Sequence, residues 1–373
     1  AEDGDRRALL AAQDTAAEIG GEAATFIRAE PLETLDTFEK RQRARWAFGR
    51  DSGNSGKLAG MLAQAAPHLA RDVDDLDDRP RLLAVDNGTL DFKQPPKGEA
   101  IEAHECFGFV GVHRRQDLLT HASAVAFDPA AVAPAWAAFL EDVQPDPDTR
   151  AFLARLVGYA LTGLNSEETL CAFEGKGANG KSLFIDVVDM LLGSAAVGID
   201  FATLLADERR SGSGPTPDLA RLRGVRLVTA GEPERGAKLA EGRIKSITGG
   251  DKIVARKLNK DPFEFRSQFQ LIVSWNTRPR VGGDDGIWRR ILLLIWPVQI
   301  LPRRGDGSPN PKWRRKEDMR ALFRAELPGI LNWALAGYAD WAQGGLRPPE
   351  AVLRAVRSYR DQSDPVGSFI NDA

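Results

Sequence analysis

One eight-residue run, Gly175-Lys-Gly-Ala-Asn-Gly180-Lys181-Ser182, constrains this 373-residue chain more than any other segment. It fits the pattern GxxxxGK[ST], which works only in one local setting. A buried strand must deliver the chain to a glycine-rich turn and a helix must leave it, so that backbone amides and the positive helix end converge on an anion. Both flanks are present: LCAFE reads as a buried strand and KSLFIDVVDMLLG has helical spacing. The run therefore predicts a phosphate loop. Gly175, Gly177, Ala178, Asn179, Gly180 and Leu183 belong to its cradle, Lys181 neutralises the outer phosphates, and the Ser182 hydroxyl completes a Mg²⁺ shell. ATP and Mg²⁺ are the expected cofactors. A fortuitous glycine turn is the bland alternative.

The surroundings predict an α/β core. After residue 165, strand-like and helical segments alternate through TLCAFEG, GKSLFIDVVDMLLG, VRLVTAG, LAEGRIKSITG, FQLIVSW and ILLLIWPV, which argues for a largely parallel sheet covered by helices. Ahead of it the pattern is different. Ala- and Leu-rich stretches in residues 1–72 read as helices, and LLAVDNGTLDF (Leu82–Phe92) reads as a hairpin around Asn87-Gly88. Two helices follow, AVAPAWAAFLEDV and DTRAFLARLVGYALTG. Three parts result: a helical and mixed part over 1–165, the core over 166–300, and a helical segment over 301–373. The Gly/Ser/Pro stretch Glu208–Asp218 is expected to be a mobile loop.

A phosphate loop does not say which machine it drives, so its partners matter. The strand of VRLVTAGEPERG ends in Glu232, with Glu234 two residues on; one carboxylate can help hold Mg²⁺ and the other can activate water. Asn276 ends FQLIVSW, where an amide can sense the terminal phosphate. Arg289-Arg290 precede an apolar strand, and an arginine given to a neighbouring subunit's nucleotide accelerates hydrolysis. Between them Lys257-Leu-Asn-Lys260 sits at the turn of a hairpin with arms KIVAR and PFEF. Two lysines at such a tip suit a nucleic-acid backbone.

Charge points the same way. The total of −3 is a cancellation: residues 1–220 carry −14, residues 221–290 carry +8 and residues 291–373 carry +3. The positive block holds the sensor, the arginine pair and the hairpin lysines, which favours a polyanionic partner. Composition excludes collagen-like, disordered and disulfide-scaffold classes, since only Cys106 and Cys171 are present. No apolar run approaches the ~20 residues of a membrane-spanning helix. We therefore expect no membrane partner and a cytoplasmic protein of a bacterial host. His104, Cys106, His113 and His121 match no common zinc spacing and read as ordinary loop residues. Trp275, Trp288 and Trp313 are expected to pack rather than to stack bases.

In order, NGTLDF, LVGYALTG, FEGKGANGKS, DLARLRGVRLVTAGEPE, IKSITGGDKIVARKL, FEFRSQFQLIVSWNTRPR and GIWRRI resemble the superfamily 3 helicases. The resemblance is strongest to the C-terminal helicase part of phage and plasmid primase-helicases and their large-DNA-virus relatives, and it runs over most of the chain. It implies an AAA+-like, ring-forming, usually hexameric ATPase that moves along single-stranded DNA, typically 3′ to 5′, and unwinds forked DNA during replication. Residues 1–165 then correspond to a collar that helps assemble the ring. Lys181 and Ser182 match the phosphate-loop residues, Glu232 the principal acid, Asn276 the sensor, KLNK the DNA-engaging hairpin, and Arg289 or Arg290 the trans-acting arginine. Lys245 looks like a further basic group near a neighbour's nucleotide. The proline between Glu232 and Glu234 departs from the family's adjacent acids. The family often carries an upstream primase domain; the chain opens AEDGDRRALL without Met, reads as a segment of a longer protein, and is not expected to prime. Two other readings remain: a phosphate-loop ATPase that loads or packages DNA without unwinding, and a non-catalytic DNA-binding or assembly fragment.

Overall fold

A computed structural model describes residues 35–69, 72–94, 103–206, 216–234 and 236–363. The chain divides into two compact units, Ala1–Arg71 and Asp72–Ala373. In the first, α1 (Leu35–Ser52) and α2 (Ser55–Leu69) are joined at Gly53-Asn54. Asn54 starts α2 by accepting the Gly56 amide at 2.9 Å. The helix expected over ALLAAQDTAAEIG lies outside the described residues.

The second unit opens with an antiparallel sheet of β1 (Leu82–Val85), β2 (Gly88–Phe92) and β3 (Phe107–Val110). Val85 pairs with Gly88, so the tight loop is Asp86-Asn87 and Gly88 begins the second arm. Asn87 is pinned there by two hydrogen bonds with the Phe127 backbone, at 2.8 and 2.9 Å. Next come α3 (Pro134–Val143) and α4 (Pro147–Ala160), the latter capped by Asp146, whose side chain accepts from Asp148 and Thr149.

The central sheet is wholly parallel. It comprises β4 (Leu170–Glu174), β5 (Ala196–Ile199), β6 (Leu227–Ala230), β9 (Gln270–Trp275) and β10 (Ile291–Ile295), in the order β10-β4-β9-β6-β5. Because strand side chains alternate, burial on both faces requires near-continuous apolar runs. Cys171, Phe173, Leu292 and Leu294 join one core, while Leu170, Ala172, Ile291 and Leu293 join the other. The first core also takes in α4, α5 (Lys181–Leu192), α9 (Lys316–Ala325) and α10 (Leu327–Gly344). Ile244 and Ile247 of α7 (Glu241–Thr248) and Tyr359 of α11 (Glu350–Ser363) fill the second. Between α5 and α7, α6 (Pro217–Ala220) is a single turn.

Helices α4 and α10 cross through a pair of glycines. A Cβ on Gly158 would lie 2.1 Å from the Tyr338 amide, and one on Gly337 would lie 2.0 Å from the Ala154 carbonyl. The LVGYALTG glycine is therefore a packing requirement. A separate two-stranded hairpin, β7 (Lys252–Arg256) and β8 (Pro262–Arg266), projects KLNK at its tip. The hairpin sheet, the parallel sheet and the C-terminal helices share one compact unit, although the motifs divide at 165 and 300. Of the expected loop Glu208–Asp218, only Thr216–Asp218 are among the described residues; Pro217 and Asp218 begin α6. Among the described residues no helix is long and apolar enough to cross a membrane.

Candidate functional site

The sheet order sets β4, β9 and β6 side by side, so their C-terminal ends open onto one place. There the phosphate loop leaves β4 and enters α5. Gly177, Ala178 and Gly180 all adopt left-handed φ, of 90°, 50° and 85°. Gly175 has no room for a side chain, because a Cβ would lie 2.0 Å from Asn179 Nδ2 and 2.9 Å from the Trp296 carbonyl. Two of the loop's carbonyls are held from outside: Ile300 donates its amide to Ala178 at 2.7 Å and Gln299 Nε2 donates to Gly177 at 3.0 Å. Asn179 is 3% exposed, and its amide nitrogen has no hydrogen-bond partner among the described residues.

Lys181 occupies the first turn of α5 and is buried. Its ammonium donates to the Gly175 carbonyl at 2.6 Å and to Asn276 Oδ1 at 3.0 Å. Asn276 then donates through Nδ2 to Glu232 Oε2 at 2.9 Å. Gly175, Lys181, Asn276 and Glu232 thus form one hydrogen-bonded chain across three strand ends. Burial pulls the Lys181 pKa down, opposed by the negative charges of Glu232 and Glu174. Ser182, exposed beside Lys181, and Leu183 line the same cavity as Glu232 and Asn276, which measures about 910 Å³. Glu234, exposed like Glu232, is outside that lining.

The remaining predicted residues lie elsewhere. Lys245 on α7 pairs with Asp284, which caps the short helix α8 (Asp285–Trp288). That hydrogen bond and the positive charge of Arg289 hold the Asp284 carboxyl below its ordinary range. Arg289 ends the short helix that Asp284 caps. The arginine pair is split. Arg290 is buried, donating to Glu168 at 2.8 Å and to the Gly286 carbonyl at 3.1 Å, whereas Arg289 meets the same Glu168 at 3.7 Å with its side chain 69% exposed. Lys257 and Lys260 are exposed at the β7–β8 tip, where Lys260 donates its amide to the Lys257 carbonyl at 3.2 Å and Asn259 takes φ of 55°.

Sequence reasoning missed Glu174 and Arg278. Glu174 ends β4, and both its oxygens receive the Arg278 guanidinium, at 2.7 and 3.2 Å. Arg278 also stacks over Tyr359, 5.2 Å from the ring centre, linking α11 to the base of the phosphate loop. An acid at the last position before the loop was the available signal. Trp275 and Trp288 are buried as expected, but Trp313 is not: it remains 37% exposed and lines the cavity. His121 bonds the Ser194 and Arg223 carbonyls, and His113 lies 3.4 Å from the Asp86 carbonyl.

Several features fit a nucleotide polyphosphate: the crowded glycine, the left-handed turn, the buried ammonium and the unpartnered Asn179 amide. Ser182 and Glu232 supply oxygen donors of the kind Mg²⁺ prefers.

The D5 N terminal like family matches residues 6–145, and a family of unknown function, DUF5906, matches residues 173–290. The chain is 30% identical over 242 residues to "Putative helicase L207/L206" of Acanthamoeba polyphaga mimivirus, covering 63% of this chain and 25% of the relative. It is 29% identical to "Putative helicase 022R" of Frog virus 3, with 63% and 25% covered, and 25% identical to "Putative primase C962R" of African swine fever virus, with 67% and 25% covered. The chain thus spans about a quarter of the length of these curated relatives. A solved structure of the NrS-1 C-terminal region superposes with a TM-score of 0.48 at 16% identity, over 72% of this chain and 59% of that one.

Proposed function

We propose that the chain is a member of the primase-helicase family to which it is similar, and that it is the ATP-driven motor of a DNA helicase, one that acts in replication. The observation carrying this reading is the hydrogen-bonded chain from Lys181 through Asn276 to Glu232. It supports an AAA+-like phosphate-loop core, because ligands of open parallel sheets sit at the carboxyl ends of the strands. ATP with Mg²⁺, held by the loop, Ser182 and Glu232, supplies the phosphoanhydride bond that is hydrolysed.

The chain's residues divide the work. Lys181 turns its ammonium from Asn276 to the outer phosphate oxygens, and Asn276 is then released to report the terminal phosphate. Glu232, in the cavity, orients the attacking water and takes its proton; Glu234, outside it, does not. Arg289 completes the site of a neighbouring subunit in a ring, which we propose is a hexamer, and Lys245 shares that boundary. Lys257 and Lys260 face single-stranded DNA in the channel.

Strand displacement on a tailed duplex tests the proposal. Lys181→Ala is expected to abolish ATP binding and unwinding, and Glu232→Gln to retain ATP while losing hydrolysis by at least about a hundred-fold. Unwinding that survives Lys181→Ala sinks the motor assignment. Hydrolysis by the wild type without strand displacement would instead identify a loader or packaging motor.

A further inference from the structure

The phosphate loop is only part of the cavity lining. Helix α3 and the chain that follows β10 supply other parts, with Phe139 and Val143 of α3 close against Gly180. That following segment, residues 297–315, behaves as a strap. It is tied to the phosphate loop through the Ile300 and Gln299 bonds, and it turns back on itself where Arg304 donates to the Ser308 carbonyl at 2.8 Å and Asn310 to Pro302 at 2.9 Å. The turn returns Pro311–Lys316 to the cavity wall. Lys312 fastens the returning end to α3 through an ion pair with Asp142.

Trp313 is carried on this strap. Whereas Trp136, Trp275, Trp288 and Trp296 are all at most 4% exposed, Trp313 keeps 37% and lines the cavity. An indole left open in a cavity wall is not explained by packing. The α3 wall also suits a flat guest: Ala135, Ala138 and Asp142, three and four residues apart, place two methyl groups and a carboxylate along one helix face of the same cavity. A cationic loop together with an open indole and two alanine methyls in the lining of one cavity match a nucleoside polyphosphate.

We propose that Trp313 is the stacking platform of a nucleobase subsite, with the alanine face of α3 lining the same cavity. This subsite rests on the nucleotide reading of the phosphate loop. Stacking on an indole favours the base and contributes nothing to the phosphates.

The test measures Mg²⁺-dependent binding of ATP and of inorganic tripolyphosphate by titration calorimetry, on the wild type, Trp313→Ala and Trp313→Phe. Trp313→Ala should weaken ATP about ten-fold and leave tripolyphosphate unchanged, and Trp313→Phe should recover most of the loss. Two results overturn the subsite while sparing the phosphate loop: ATP bound as tightly by Trp313→Ala as by the wild type, or an equal loss for both ligands, which would make the strap a mere support for the loop. A wild type that binds neither ligand removes the nucleotide site and the subsite with it.

Discussion

Asp189 lies two turns beyond Lys181 on α5 and points one carboxylate oxygen into the protein with no hydrogen-bond partner among the described residues. Burial, reinforced by Asp186, raises its pKa to about 6. The folded state therefore keeps a proton that the unfolded chain releases near pH 4. Stability falls as pH rises across that interval, and the whole loss is present above pH 6. Asp189→Asn carries no such loss, so it should be more stable than the wild type by about 2 kcal/mol at pH 7 and little different at pH 4, measured by urea unfolding. Equal gains at both pH values would tie the effect to packing instead of charge. This residue had no sequence signal, since an acid in a helical pattern reads as a solvated position. Glu174 and Arg278 were hidden for a related reason: their pairing depends on β4 and β9 being neighbours, which neither segment encodes alone.

At the scale of elements, local grammar was informative wherever an element is long or chemically marked. The strand-loop-helix around Gly175, the Asn87 hairpin and the KIVAR and PFEF arms all formed where their residues predict them. β5 went unread because it is four residues long, sits at the sheet edge and is only partly buried, so it lacks the continuous apolar run of its neighbours. The β7–β8 hairpin is an element whose tip is dispensable for its own fold: the ladder runs from Lys252–Arg266 to Arg256–Pro262 and stops before Lys257. Replacing Lys257 and Lys260 by Ala should therefore spare nucleotide binding and stability. Each lysine that neutralises a phosphate of single-stranded DNA contributes about 0.7 to the slope of log affinity against log salt, so the double variant should flatten that slope by about 1.4. Fluorescence anisotropy with a labelled oligonucleotide across a salt series reads this directly, and an unchanged slope would remove the tip from DNA binding.

The whole molecule places its positive block on more than one surface. Hairpin lysines project from one element, while Lys245 on α7 pairs with Asp284 at the start of α8, the short helix that Arg289 ends. The two adjacent arginines share one acid and differ in burial. Both reach Glu168: Arg290 at 2.8 Å from a buried position where it also donates to the Gly286 carbonyl, and Arg289 at a looser 3.7 Å with its side chain 69% exposed, so Arg289 is the one placed to serve a neighbour. Burial alone separates them, which is why sequence left the choice open. If Arg289 acts in trans, an Arg289→Ala protein should fold and bind ATP normally yet hydrolyse it about a thousand-fold more slowly. Lys181→Ala is equally inactive for a different reason, having an intact arginine and no working phosphate loop. Mixed together, the two inactive proteins can form interfaces in which an intact Arg289 faces an intact Lys181, so ATPase activity should reappear on mixing. An arginine acting within its own subunit gives no such recovery, because every subunit in the mixture would still carry one of the two defects.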